Sequence, residues 1–385
     1  MRFLHTADWH LGRIFYGVHL TEDQAHLLDQ VVALAREAEV DAVLVAGDVY
    51  DRAVPPPDAV ALLGEVLDRL VGGAGIPTCI VAGNHDSPQR LHFCSGILAR
   101  SELNICGLLS PEPFTVRLED RHGAVRIALL PYAEPSFARD QLGVDDLDTH
   151  GDVVRRSVER VRDSARPGER TVVLNHSFVA GGQTSDSERP LTVGGAGQVH
   201  TDAFAGVDLV ALGHLHRPQT LDDGRITYAG SLMTYSFEES SGVRSVSLID
   251  LDGNGTVRIE RIPLTPHRDV RCLEGTLQQV LAAAEHDAAP HDYLQVTLTD
   301  PGLVHDPMGR LREVYPNVLH VARPALGATS AAQLESGPEG RRATTLELFA
   351  QLYRERRGCD LDPDRQRILR ELVDRLRSED REASA

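Results

Sequence analysis

Short apolar runs rich in β-branched residues, each giving way at once to polar ones, set the rhythm of the first two thirds of this chain. They occupy residues 1–7 (MRFLHTA), 40–46 (VDAVLVA), 77–82 (PTCIVA), 171–174 (TVVL) and 207–212 (VDLVAL). Continuous apolar runs of this length predict strands of a sheet covered on both faces. Between the first three, leucines and valines recur three and four apart over 21–39, after a Thr cap, and over 58–71, after a proline run. That spacing predicts two amphipathic helices, and strand alternating with helix predicts an α/β fold. Each run ends in a chemically distinctive cluster: Asp8 and His10 in DWH, Asp48 in GDVYD, Asn84 in GNHD, His176 in NHS, and His214 with His216 in GHLH. Because every cluster comes directly after its strand, all seven residues are expected at the carboxyl edge of one sheet, where open α/β folds bind ligands.

Past the last cluster the pattern changes. Residues 225–262 alternate apolar and polar positions around turns at Asp223-Gly224 and at 252–255 (DGNG), which predicts antiparallel strands closing a second sheet and hence a four-layer α/β sandwich. Pro263 and Pro266 mark a boundary, so 1–265 reads as one domain. Residues 266–322 read as a small α+β domain of strand, helix, strand, short helix and strand. The stretch 323–342 is rich in Ala, Gly, Ser and Pro and reads as a linker. In 343–385 a capping box at 344–347 precedes a stripe of Leu346, Phe349, Ala350 and Tyr353. Asp362-Pro363 opens a second helix with Leu369, Leu372, Val373 and Leu376 on one face. Two helices this short are marginal alone in water, so the pair is expected to dock, either on this chain or on a partner.

The seven polar residues offer two carboxylates, one carboxamide and four imidazoles, with no thiolate. Mixed nitrogen and oxygen donors suit manganese, iron or zinc better than calcium or a soft cluster. Asp8 with His10, and His214 with His216, lie two apart, so in extended backbone the members of each pair point the same way. Seven donors exceed the needs of one ion, and Asp48 can bridge two. Ions about 3.5–4 Å apart clamp a phosphoryl group between them. Each motif alone has a plainer reading: D-x-H is short, GNHD suits a turn, and a lone His176 suits a core. Their joint occurrence, in order and each after a strand, favours the metal reading. Asp51 and Asp86 sit beside ligands, as orienting groups or ordinary turn carboxylates. His5, His19, His26, His92 and the histidines past 260 lack such context and read as structural or solvated.

The order D-x-H, GDxxD, GNHD, NH and GHxH resembles the calcineurin-like metallophosphoesterases. Within them, GDVYDRAVPP, AGNHDS, ALGHLHRPQ and YAGSLMTYSFEE are similar to the SbcD family, nuclease subunits of DNA double-strand-break repair complexes. The likeness is strong over about 1–265 and weak beyond. It implies a manganese-dependent double-strand exonuclease and hairpin endonuclease. One metal would sit on Asp8, His10, Asp48 and His216, the other on Asp48, Asn84, His176 and His214, with His85 as the catalytic residue at the scissile phosphate. It also implies that 266–322 caps the groove, that 343–385 binds an SbcC-type coiled-coil ATPase, and that the chain forms a homodimer within a heterotetramer. The apolar stretch 91–97 (LHFCSGI) offers a dimer surface or ordinary core.

Composition alters this picture in one respect. A formal net charge of −18 repels a DNA backbone at long range, so a nuclease needs local metal ions, a confined basic groove or a partner's help. Every basic residue is arginine, and Arg13, Arg52, Arg90 and Arg217 adjoin the metal motifs. Five scattered cysteines without a CxxC, no secretory pattern after Met1 and no span-length apolar run predict a cytoplasmic protein with reduced thiols. Two rival functions remain: a metallophosphoesterase for small phosphomonoesters or nucleotide phosphodiesters, and a scaffold that lost its chemistry. The first has no need of a cap and a tethered helical pair; the second has no need of all seven ligands and His85.

Overall fold

The computed structural model describes residues 1–323 apart from 186, 189–196 and 303, together with 353–354, 360, 362, 364–369 and 372. In chain order the main elements are β1 (Arg2–Thr6), α1 (Thr21–Glu37), β2 (Ala42–Val45), α2 (Pro57–Leu67), β3 (Thr78–Val81), β4 (Leu103–Cys106), β5 (Thr115–Asp120), β6 (Gly123–Leu130) and α3 (Pro135–Leu142). Next come α4 (His150–Asp163), β7 (Arg170–His176), β8 (Leu209–Gly213), β9 (Gln219–Leu221), β10 (Ile226–Tyr228), β11 (Ser245–Leu251) and β12 (Val257–Pro263). A last group comprises β13 (Val270–Gly275), α5 (Leu277–Ala283), β14 (Tyr293–Leu298), α6 (Pro307–Arg312) and β15 (Val318–Ala322).

Two six-stranded sheets form the centre, in the orders β12-β11-β1-β2-β3-β4 and β9-β10-β8-β7-β6-β5. Strands β1 to β4 run parallel, β11 pairs antiparallel with β1, and β12 pairs antiparallel with β11 at the edge. In the second sheet β6, β7, β8 and β10 are parallel. The sheets face each other through Phe3, Leu44, Cys79, Val81, Ile127, Leu129, Val172, Leu174, Leu209 and Ile249, all buried. On the outer face of the first sheet α1 lays down Leu27, Leu28, Val31, Val32 and Ala35, each worth at most about 1.5–3 kcal/mol of transfer free energy. Val154, Val158 and Val161 of α4 cover the second sheet. Helix, sheet, sheet, helix is the four-layer α/β sandwich expected from the sequence.

Two expectations are corrected. The strands after residue 225 do not close the second sheet as an antiparallel unit: β10 joins it in parallel, whereas β11 and β12 complete the first sheet. Alternation reported strands facing the core on one side but carried no information about which sheet they join. Thr21 does not cap α1. It is the first helical residue, Leu20 holds the cap position without a side-chain bond, and the Thr21 hydroxyl donates to Asp58 at 2.8 Å. Cys79 and Cys106 are buried small core residues, and desolvation pushes each thiol up to about 12.

Residues 1–322 form one compact unit. Its last part is a three-stranded parallel sheet, β13-β14-β15, with α5 and α6 packed by Leu277, Val280 and Leu311. This matches the predicted alternation element by element. It is anchored to α1 by Asp23, 1% exposed, which accepts from Tyr293 at 2.7 Å and from Arg268 at 3.1 Å. The predicted linker and most of the helical pair lie outside the described residues; 364–369 is helical, with Ile368 52% and Leu372 50% exposed. Among the described residues no helix is long and apolar enough to cross a membrane.

Candidate metal centre

The seven singled-out residues come together, but at the carboxyl edges of two sheets rather than one. Asp8, His10, Asp48 and Asn84 come after β1, β2 and β3 of the first sheet. His176, His214 and His216 belong to the ends of β7 and β8 in the second. The two strand edges meet because the motif glycines let them. A Cβ on Gly47, whose φ is +87°, would lie 2.5 Å from His176 Nδ1, and one on Gly213 would lie 2.0 Å from the Ala46 carbonyl oxygen. The backbone is bent as well as close. Asp8 (φ 51°), His10 (φ 45°), Asp48 (φ 47°) and His214 (φ 99°) all sit in the left-handed region, a strain that persists only where surrounding contacts impose it. The paired residues therefore converge through tight turns, not through the extended backbone their spacing suggested.

The donors meet at short range. His10 Nε2 lies 3.2 Å from His216 Nε2, and Asp8, His10 and His216 form one cluster of facing donor atoms. Asn84 Oδ1 lies 2.9 Å from His176 Nε2 and 3.1 Å from His214 Nδ1. Between these groups Asp48 Oδ2 is 3.8 Å from His10 Nε2 and 3.6 Å from His176 Nε2. Its other oxygen accepts from the backbone N–H of His85 at 2.8 Å. Asp8, His10, Asp48, His176, His214 and His216 are buried. Burial lowers the imidazoles of His10, His176 and His214, leaving them neutral with lone pairs available. Burial, then the neighbouring charge of Asp48, raises Asp8. Carboxylate and imidazole donors crowded without a compensating cation are costly to bury. A divalent ion removes that cost, so the residues fit the group.

Surrounding groups fix each donor. His176 Nδ1 faces the Ala46 carbonyl at 2.9 Å, which leaves Nε2 for the centre. His10 Nδ1 is buried without a hydrogen-bond partner but lies 3.6 Å from Asp51 Oδ1. Asp51 in turn pairs with Arg13 at 3.0 Å, and its carbonyl lies 2.9 Å from His85 Nδ1. Asp86 accepts from the backbone N–H groups of Val49, Tyr50 and Gly83, tying the GDVYD turn to the GNHD turn, while burial pushes its carboxyl up to about 7. His85 Nε2 lies 3.9 Å from Asp48 Oδ2, at the rim of the cluster.

Sequence reasoning missed the acids behind His216. Buried Glu239 lies 3.3 Å from His216 Nδ1 and also accepts from Ser185 and Ser187; burial opposes its charge, but these bonds hold the carboxyl down at about 2. Glu188 accepts from the His216 backbone N–H at 2.7 Å. The run YSFEE contains Glu239 and contributed to the family resemblance, yet no spacing rule linked it to GHLH; Ser187 and Glu188 had no signal.

The family profile described as calcineurin-like phosphoesterase matches residues 1–218. The chain belongs to that family. A calcineurin-like phosphoesterase is a hydrolase whose fold implies divalent metals, and the Asp and His clusters described above are placed to hold them. Residues 266–357 match a second profile, SbcD_C, described as type 5 capsule protein repressor C-terminal domain, which gives this calcineurin-like phosphoesterase the two-part organisation of SbcD-type nucleases. Among solved structures it is similar to TT1561 of Thermus thermophilus, with 16% identity over 68% of this chain and 98% of that one, at a TM-score of 0.39. It is also similar to the calcineurin-like phosphoesterase YfkN of Bacillus subtilis, with 12% identity over 69% and 90%, at a TM-score of 0.37.

Proposed function

We propose that this phosphoesterase is a manganese-dependent DNA nuclease that acts with an SbcC-type coiled-coil ATPase. The observation that carries the reading is the joining of a seven-donor cluster to a second domain of SbcD type on one chain. Asp8, His10, Asp48 and His216 would hold one ion, and Asp48, Asn84, His176 and His214 the other. Bound there, the ions supply charge to neutralise the phosphate and to activate water.

The chain's own residues do the rest. Asp51 presents its carbonyl to His85 Nδ1, so Nε2 is the atom directed at the cluster. From there His85 donates to a phosphoryl oxygen or to the leaving oxygen as the phosphodiester breaks. Arg52, Arg90 and Arg217 are exposed and Arg13 is half-buried, a modest positive lining within a chain of net charge −18. Ile368 on helix 364–369 and Leu372 beyond it are exposed, apolar surface for the ATPase partner to cover. Exposed Phe93 and Ile97, near the edge of the first sheet, offer the surface for a homodimer.

The purified full-length chain, loaded with manganese, should cleave linear duplex and hairpin DNA, with activity falling steeply as salt rises because phosphate contacts release counterions. Hydrolysis of a small phosphodiester with no cleavage of either DNA overturns the nuclease reading.

A further inference from the structure

A cavity of about 280 Å³ opens beside the metal cluster, on the side of Asn84. Gly83 and Asn84 form one wall; Leu108, Tyr132, Phe137 and Gln141 contribute to the others. Tyr132 is held rigidly. Its hydroxyl bonds Glu134 and lies 3.1 Å from His150 Nε2, and its ring stacks on His150 with centroids 5.3 Å apart. The edge of the same system meets His176, with ring centroids at 6.4 Å. One wall of the cavity therefore rests on a donor of the metal centre and another contains a second donor, Asn84.

Phe137 is not part of the apolar cluster that holds α3. Helix α3 buries Ala138 and Leu142 against Leu109, Leu147 and Val153, while Phe137 remains 62% exposed at the cavity mouth. The lining also bears on the class of occupant. It contains no arginine and includes Glu134, so it offers a phosphate no cationic partner. Flat apolar faces with amide groups from Gln89 and Gln141 at the border suit a neutral, planar heteroaromatic ring.

We propose that this cavity is a nucleobase subsite, taking the base of a nucleotide that flanks the scissile phosphate, with Phe137 as a stacking face. The inference rests on the nucleic-acid reading above and adds a specificity determinant to it. Because every base presents a π face, the subsite accepts all four bases and responds to the loss of a base.

The test uses the full-length manganese-loaded chain on labelled oligonucleotides, either intact or carrying one abasic residue at each position flanking the cleavage site. Phe137→Ala should lower kcat/KM on intact oligonucleotide about tenfold, the scale of losing one stacked base, with bound metal unchanged. Phe137→Trp should restore it. One abasic position should cost the wild type a similar factor and cost Phe137→Ala nothing more. Equal cleavage by wild type and Phe137→Ala, or losses that multiply across variant and abasic site, overturns the subsite while leaving the nuclease reading intact. Hydrolysis of a small phosphodiester with no oligonucleotide cleavage by the wild type overturns both.

Discussion

The two ends of the paired sheets treat charge in opposite ways. At the amino edge charges are paired with their opposites: the Met1 ammonium lies 2.9 Å from Asp120, Arg170 lies 2.5 Å from the same carboxylate, and Arg2 lies 2.9 Å from Asp250. Arg170 holds the Asp120 carboxyl well below its usual range, with the terminal ammonium helping. At the carboxyl edge, electron-pair donors face one another, and four of them stand on left-handed backbone. One end is neutralised from within; the other is built to be neutralised from outside. The contrast shows that strain and unsatisfied donors, not mere polarity, distinguish a site from a well-paired surface.

The sharpest way to break this contrast is Asp48→Ala, which removes the carboxylate shared by both donor groups. Activity should fall to the detection limit, and metal analysis should find neither ion; retention of two ions would sink the shared-ligand assignment. Next in size, His85→Gln should lower kcat by about 10²- to 10⁴-fold, the range for losing a general acid. Metal content should stay at the wild-type level, and its loss would make His85 a ligand instead. Glu239→Gln should weaken metal affinity about 10- to 100-fold by loosening His216, as read by titration calorimetry; unchanged affinity would reduce Glu239 to a packing role.

The smallest effect belongs to the opposite edge. Asp120→Asn should cost about 1–3 kcal/mol in urea unfolding at neutral pH, the scale of bonds to a charged group, without changing metal content or activity. Its pH dependence has a definite sign. A carboxyl depressed in the folded state stabilises above its unfolded value of about 3.9 and loses that contribution as pH falls toward the folded value. The gap between wild type and Asp120→Asn should therefore narrow below about pH 4. A gap that widens in acid refutes the pairing.

Much of the fold was legible because buried parallel strands declare themselves as continuous apolar runs. β1, β2, β3, β7 and β8 each fall on or within two residues of a run read from sequence. The assignment of those strands to two sheets was not legible, since sheet membership depends on long-range pairing such as β1 with β11. At the site, residues standing directly after strands were found, and residues supplied by distant loops were not. Glu188 and Glu239 reach His216 from separate segments, and Tyr132 reaches His176 from just after β6, a strand not among the runs read from sequence. A fixed spacing rule does not see such approaches. The motif glycines hold part of that missing information: Gly47 and Gly213 mark where the edge of one sheet passes within contact of the other.

That the donors are divided between two sheets also has a kinetic meaning. Asp8 and His216 are separated by most of the catalytic region, and His214 donates its backbone N–H to both Asp8 oxygens at 3.0 Å. Such a contact cannot exist until both sheets have formed and docked, which places it among the slow, non-local steps of folding. During synthesis the chain emerges without a usable centre until residue 216 has left the ribosome and the second sheet has closed on the first. Binding of divalent metal then marks the end of assembly, because a half-folded chain has not yet brought the donors of the two sheets together.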